Sequence, residues 1–278
     1  MTYLLTEDQR AAFASNGVLV IRDFYDMASD IVPIQRGIHQ VIGEVMRRHE
    51  VADTRPTFDA PNFDTGYLGF IGHDRAWGGE VYDAVKQVPA FLRLVAHSGH
   101  EKLFSELRPG STPGIAGGGY GIRIDNPNES RFRAQWHQEY PAQLRSMDGL
   151  VFWSPLVPVT EDLGPVQFCI GSHRDGAVPV CVGGGSERSG AYDLTLENES
   201  SVVNQYPHEA PLLGPSDLVV IDFLLLHASG HNRGTRSRWS MQFRYFNFAD
   251  PVGRRHGWKG SFAAGVDFRS VHPELCVS

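Results

Sequence analysis

Trp136-His137-Gln138-Glu139-Tyr140 is followed ninety residues later by Leu226-His227, and eleven residues after that by Arg238. His137 and Glu139 stand at i and i+2. On a strand such residues project to one face, so both are expected to reach a single ion while Trp136 and Gln138 turn the other way. His227 closes the apolar run Leu218-Val-Val-Ile-Asp-Phe-Leu-Leu-Leu226. That run reads as a strand buried on both sides, with the histidine at its end in the mouth of a barrel. Two imidazoles and one carboxylate make the set that holds Fe(II) on one face and leaves the other coordination positions open. The candidate metal and catalytic residues are therefore His137, Glu139 and His227.

The chain has 12 histidines, so competitors need weighing. His231 lies four residues past His227 and suggests a helical H-x-x-x-H zinc pair, but Gly230 and the strand-like run before it argue against a helix there. His173 falls in an apparent turn, Gly171-Ser-His173, and His208 in a polar loop. His39, His49, His73, His97, His100, His256 and His272 lie outside the strand-rich region and read as structural or surface residues. Cys169, Cys181 and Cys276 are odd in number and widely spaced, neither a disulfide framework nor a zinc site. Gly117-Gly-Gly119 and Gly183-Gly-Gly185 lack the Lys-Ser/Thr and the following helix of a phosphate cradle, and read as turns.

Around this constellation the chain divides in two. Thr6-Glu7-Asp8-Gln9 is a capping-box pattern and Gly17 a helix stop, followed by a strand at Val18-Leu-Val-Ile21. Ile34, Ile38, Val41, Ile42, Val45 and Met46 form a helical stripe between Asp30 and Glu50. A second helical region runs from Tyr82 to Leu107, broken near Pro89 and around Gly99. After Pro109, short apolar or alternating runs at 120–124, 149–153, 166–170, 218–226 and 240–248 are separated by Gly, Pro, Asn and Asp, the texture of an antiparallel sandwich or barrel. Helices followed by strands predict a mainly β core with flanking helices. A single domain over 1–278 is expected, with helical support over 1–110, a β core over about 115–250 and a C-terminal tail over 251–278. The polar, glycine-rich segment 183–200 reads as a mobile loop or insertion between strands.

Composition sets the outer limits. The chain is 41% hydrophobic and 21% charged, with a formal net charge of -7. No basic surplus recommends it to nucleic acid, and no apolar run approaches a membrane span. The start of the chain has no basic region followed by an apolar stretch, so a cytoplasmic location is expected.

With these residues in view, the chain resembles the phytanoyl-CoA dioxygenase family of Fe(II)/2-oxoglutarate-dependent oxygenases. The likeness runs from about Leu5 to Phe248. Leu5–Phe13 and Gly17–Arg22 look like that family's first helix and strand, and Trp136-His-Gln-Glu139 like its W-H-Q-D metal segment. Glu161-Asp-Leu-Gly-Pro165 with Gly171-Ser-His173 looks like its E-x-x-G-P and G-S-H stretch, and Gly214–Asn232 like its distal-histidine strand. The resemblance implies a double-stranded β-helix, the jelly-roll or cupin-like barrel, with N-terminal helices packed on one sheet. It implies iron on His137, Glu139 and His227, and 2-oxoglutarate gripped by Arg238, which suits bidentate pairing with a carboxylate. Arg233 and Arg236 are alternatives to Arg238, and the Ser229 hydroxyl is a candidate second donor to the same carboxylate. O2 is the third participant. The family usually has aspartate where this chain has Glu139. A glycine or alanine there would have suggested a halogenase; a retained carboxylate suggests hydroxylation or a related oxidation of a small-molecule substrate.

Tyr140, Gln143, Arg145, Arg131 and Arg133 are candidates to line the pocket, with 183–200 closing over it, and they lean towards a small polar or anionic metabolite. Two other readings stay open: a metal-dependent cupin isomerase or epimerase, for which Arg238 need not matter, and a non-catalytic ligand-binding jelly roll, which would not bind Fe(II) tightly.

Overall fold

A computed structural model describes residues 4–182, 194–260 and 268–277. Helix α1 (Glu7–Asn16) begins as its sequence dictates. Thr6 accepts from the Gln9 backbone, the Gln9 side chain accepts from the Thr6 backbone, and Gly17 ends the helix at φ 75°. Strand β1 (Val18–Ile21) follows. The apolar stripe becomes α2 (Val32–Arg48), whose Ile34, Ile38 and Ile42 are fully buried. Next come α3 (Tyr67–Ile71), α4 (Ala76–Val85), α5 (Pro89–Val95) and α6 (Ser98–Leu107). Pro89 starts α5, where its missing N–H costs nothing.

The strand region opens with β2 (Pro113–Ile115) and β3 (Gly121–Asp125), then the short helix α7 (Tyr140–Gln143). There follow β4 (Gly149–Pro155), β5 (Val166–Cys169), β6 (Val180–Val182), β7 (Leu194–Leu196), α8 (Glu199–Val203) and β8 (His208–Glu209). The last elements are β9 (Leu218–Asp222), β10 (His227–Ser229), β11 (Arg238–Asn247), α9 (Pro251–His256), α10 (Phe268–Val271) and β12 (Cys276–Val277).

The main sheet runs β1-β9-β4-β11-β2, with β3 also on β11, and all these pairs are antiparallel. A second sheet, β10-β5-β8, lies across the central cavity from it, and β12-β6-β7 forms a third. The expected mainly β jelly-roll with helices on one sheet is thus observed, as facing sheets rather than a closed ring of strands. The main sheet has two chemically distinct faces. Leu218, Val220, Leu150, Phe152, Trp239, Met241, Phe243 and Tyr245 join the helices in one apolar cluster. Val219, Ile221, Val151 and Trp153 point the other way and pack with β5 in a second. Period-two alternation produces both sets.

Three expectations need correction. The run 218–226 is not one strand. It breaks after Asp222, whose carboxylate accepts from the Leu224 backbone while its carbonyl accepts from Leu225, and the chain crosses to the second sheet before His227. An Asx-type turn outcompetes the strand propensity of the surrounding leucines. The segment 183–200 is not wholly a loop: Leu194–Leu196 is β7, paired with β6, and α8 starts at Glu199, while 183–193 lies outside the described residues. Beyond residue 250 the described chain is folded rather than a tail, with Phe268 buried and β12 parallel to β6.

His100 sits inside the helix-facing cluster, stacked on Phe152 at 4.8 Å, with the Tyr25 hydroxyl 2.5 Å from its Nε2. Burial pushes its pKa down to about 3, the neighbouring His97 adding to the effect. The folded state therefore refuses a proton that the unfolded chain accepts near 6.5, and stability should fall as pH drops from about 6.5 towards 3. The expected loss from this group between pH 7.5 and 5.5 is on the order of 1 kcal/mol. Denaturant titrations at the two pH values check it: the double variant Tyr25→Phe, His100→Leu should show a correspondingly flatter dependence.

Candidate metal centre

The two histidines are brought together by backbone pairing. His137 and His227 form an isolated antiparallel bridge in which each N–H donates to the other's carbonyl at 3.0 Å. Their rings lie 4.2 Å apart between centroids. Each imidazole is oriented in the same way. His137 Nδ1 is 2.7 Å from the Gln135 carbonyl, and His227 Nδ1 is 2.9 Å from the Leu225 carbonyl. A carbonyl only accepts, so Nδ1 carries the proton and Nε2 keeps a lone pair for a ligand.

Glu139 arrives differently from the strand expectation. It is the residue before α7, in helical geometry at φ -72° and ψ -33°, and the Glu139 and Tyr140 N–H groups both donate to the Phe223 carbonyl. The chain bends into a helical turn immediately after His137, so i and i+2 reach the same point by a turn rather than by strand alternation. The donor atoms of His137, Glu139 and His227 all lie within 4.8 Å of one another, close enough to hold one metal ion.

Electrostatics suit that role. Burial depresses both imidazoles, His227 to about 3 with His137 adding to the shift, so both are neutral and ready to ligate. Burial alone would raise the Glu139 carboxyl. The Arg244 guanidinium, its Nε 2.6 Å and Nη2 3.2 Å from the two oxygens, outweighs that and holds it at about 2. Gln138, facing away as expected, is a buried clamp. Its amide nitrogen donates to the Gly176 and Leu224 carbonyls and its oxygen accepts from the Val178 N–H. Trp136 does not turn away; it lines the cavity.

Arg238 starts β11 opposite Asp125 on β3 and is fully buried. Its Nη2 donates to Asp125 at 2.8 Å and to the Ser229 hydroxyl at 3.0 Å. Its Nε and Nη1 have no partner among the described residues. Unpaired buried guanidinium donors are costly, and a carboxylate is the group best shaped to pair with an edge of such a fork. Of the alternatives, Arg236 pairs with Asp64 at 2.6 Å, and Arg233 is exposed.

The remaining pocket candidates divide. Gln143 is 3.4 Å from Glu139, and Arg145 bonds Gln143 and the Gly117 carbonyl. Tyr140 is buried against His272 and is not part of the cavity wall. Arg133 donates to the Ser229 carbonyl, and Arg131 lies over Phe132 at the surface. Arg123, Gln242, Arg244 and Asp125 were not anticipated. The alternation Arg238-x-Ser-x-Gln-x-Arg244 against Trp239, Met241, Phe243 and Tyr245 was the available signal for the β11 residues.

A family model described as phytanoyl-CoA dioxygenase (PhyH) matches residues 13–240. The chain belongs to the phytanoyl-CoA dioxygenase family. No curated protein sequence matches it. Among solved structures it is similar to EctD from S. alaskensis, crystallised with 2-oxoglutarate and 5-hydroxyectoine, at 18% identity and TM-score 0.57, covering 88% of this chain and 77% of that one. It is also similar to SnoN, a non-heme alpha ketoglutarate dependent epimerase from nogalamycin biosynthesis, at 15% identity and TM-score 0.54, covering 94% and 91%. The carbocyclase SnoK, from the same biosynthesis, matches at 14% identity and TM-score 0.56, covering 88% and 85%. At these identities the likeness speaks for a shared PhyH-type fold. Among the described residues no helix is long and apolar enough to cross a membrane.

Calorimetric titration of Co(II) into the metal-free protein should give one site per chain. His137→Ala and His227→Ala should each weaken it by more than about 100-fold, beyond the 10–100-fold typical of outer-sphere partners.

Proposed function

We propose that this protein is an Fe(II)- and 2-oxoglutarate-dependent dioxygenase that hydroxylates a C–H bond of a small, polar metabolite, with succinate and CO2 as co-products. The observation that carries the reading is that the donor atoms of His137, Glu139 and His227 lie within 4.8 Å of one another, near a buried arginine that bonds Ser229 and keeps two donors without a partner among the described residues. Two neutral imidazoles and one carboxylate suit Fe(II) and leave positions for a chelating 2-oxo acid and O2. The bound iron and 2-oxoglutarate supply the oxidising chemistry.

The chain's own residues have four tasks. His137, Glu139 and His227 hold the metal, and the Gln135 and Leu225 carbonyls fix the rings. Arg238 and Ser229 take the far carboxylate of 2-oxoglutarate, and Asp125 sets the guanidinium plane. Val151, Trp153, Val166 and Ile221 keep one side of the cavity apolar and exclude water from the reacting centre. The mixed lining, guanidiniums and an amide beside an apolar wall, suits a compact polar substrate.

Hydroxylation is the favoured outcome, but structurally similar proteins include an epimerase and a carbocyclase, so the product decides. A product heavier by one oxygen atom is expected. An unchanged mass or the loss of two hydrogens would move epimerisation or ring closure to the front.

Under nitrogen, adding Fe(II) and 2-oxoglutarate to the metal-free protein should produce the weak visible charge-transfer band of the chelate. Glu139→Ala and Arg238→Ala should each weaken the band, and His137→Ala should abolish succinate formation in air. Iron binding with no band would overturn the oxygenase reading in favour of a cupin isomerase.

A further inference from the structure

The inner face of the main sheet is chemically divided. Val219 and Ile221 of β9 and Val151 and Trp153 of β4 are apolar. The next strands, β11 and β3, present Gln242, Arg244 and Arg123 to the same cavity. The register sets Gln242 beside Trp153 and Arg244 beside Val151, so the boundary between apolar and cationic wall runs between adjacent strands.

Metal and co-substrate leave this cationic wall unexplained. Among the described residues the cavity is lined by two guanidiniums, Arg123 and Arg244, and one carboxylate, Glu139. Behind them Arg238 shares Asp125 with Arg123. Burial lowers the Arg145 pKa, and repulsion from the nearby Arg244 lowers it further. A divalent metal with a dianionic 2-oxo acid adds no net charge, so the surplus persists in the loaded site. Low-dielectric walls make such a surplus expensive unless an anion meets it.

The donors are also aimed. Arg244 Nη2 donates to the Gln242 side-chain oxygen at 3.1 Å, which fixes the amide. The Gln242 amide nitrogen, its other end, makes no hydrogen bond among the described residues. Arg244 reaches Glu139 Oε2 only at 3.2 Å with the same Nη2, and that oxygen is the one facing His227, 4.0 Å away. A metal drawing on this carboxylate would loosen the bond and release a guanidinium N–H beside the free amide.

We propose that Arg244 and Gln242, flanked by Arg123, form the anion subsite for the substrate, which is a small organic carboxylate with an apolar portion lying against Val151, Trp153 and Ile221. This rests on the oxygenase reading above. It makes Arg244 and Gln242 determinants of specificity, separate from Arg238, which serves the co-substrate. The subsite adjoins Glu139, so a carboxylate held there places its neighbouring C–H bonds next to the metal.

The test uses the full chain under nitrogen with Fe(II) and saturating 2-oxoglutarate, titrated with matched acids and amides: benzoate against benzamide, and cyclohexanecarboxylate against its amide. Binding is read by calorimetry and by the shift of the visible chelate band. Each acid should bind saturably, at least about tenfold more tightly than its amide, and shift the band without bleaching it. Gln242→Leu should erase most of that preference while the affinity for 2-oxoglutarate stays the same, and Arg244→Lys should retain part of it. Amides binding as well as acids, no saturable acid binding, or an unaltered preference in both variants would overturn the proposal. The band that precedes any probe separates the two levels: if it forms and discrimination fails, only the substrate class is wrong; if it never forms, the oxygenase reading fails as well.

Discussion

Two hydrogen bonds between His137 and His227 are the constraint on which the site depends. Each is an ordinary backbone bond, yet together they fasten the segment before α7 to the first residue of β10. The geometry of the candidate metal centre is therefore set by main-chain pairing, and the imidazoles inherit their separation from it. The carbonyls two residues upstream of each histidine then fix ring orientation. A site whose donors are placed this way pays little ordering entropy when an ion arrives.

The second organising feature is β11. Its ten residues pair with β4 along one edge and with β3 and β2 along the other. One face builds the helix-facing core through Trp239, Met241, Phe243 and Tyr245, while the other carries Arg238, Ser240, Gln242 and Arg244. A single strand thus supplies stability outward and binding chemistry inward. Its buried guanidiniums are tolerated because Asp125 and Glu139 meet part of their charge.

Much of this was legible in the sequence. The H-x-E pair, His227 and Arg238 could be chosen because their residue types and spacing match a known chemistry, and α1 because its capping box is a local signal. What escaped reading depends on contacts distant in sequence. Asp125 lies 113 residues from Arg238, and only the β3–β11 register joins them. Period-two spacing suggests a strand for Glu139, but the Phe223 carbonyl draws its N–H and that of Tyr140 into a turn. The leucines after Asp222 look like a continued strand, and the aspartate's local hydrogen bonds decide otherwise. Arg244 is marked only by the alternation along β11, a weak signal since a charged residue in a strand is usually solvated.

The glycine segment 117–119 is fastened at both ends by arginines: Arg145 donates to the Gly117 carbonyl at 2.7 Å and Arg244 to the Gly119 carbonyl at 3.1 Å. Anchorage through carbonyls is indifferent to side chains, so tolerance to mutation there is decided position by position. Gly118 is held to glycine by φ 74°, and a Cβ on Gly119 would come within 2.8 Å of Ala116. A Cβ on Gly117 meets nothing within 4 Å. That position is open to evolutionary drift: a new side chain can be grafted next to the arginine pair while the fastening of the loop, and the carboxylate that Arg244 also holds, stay as they are.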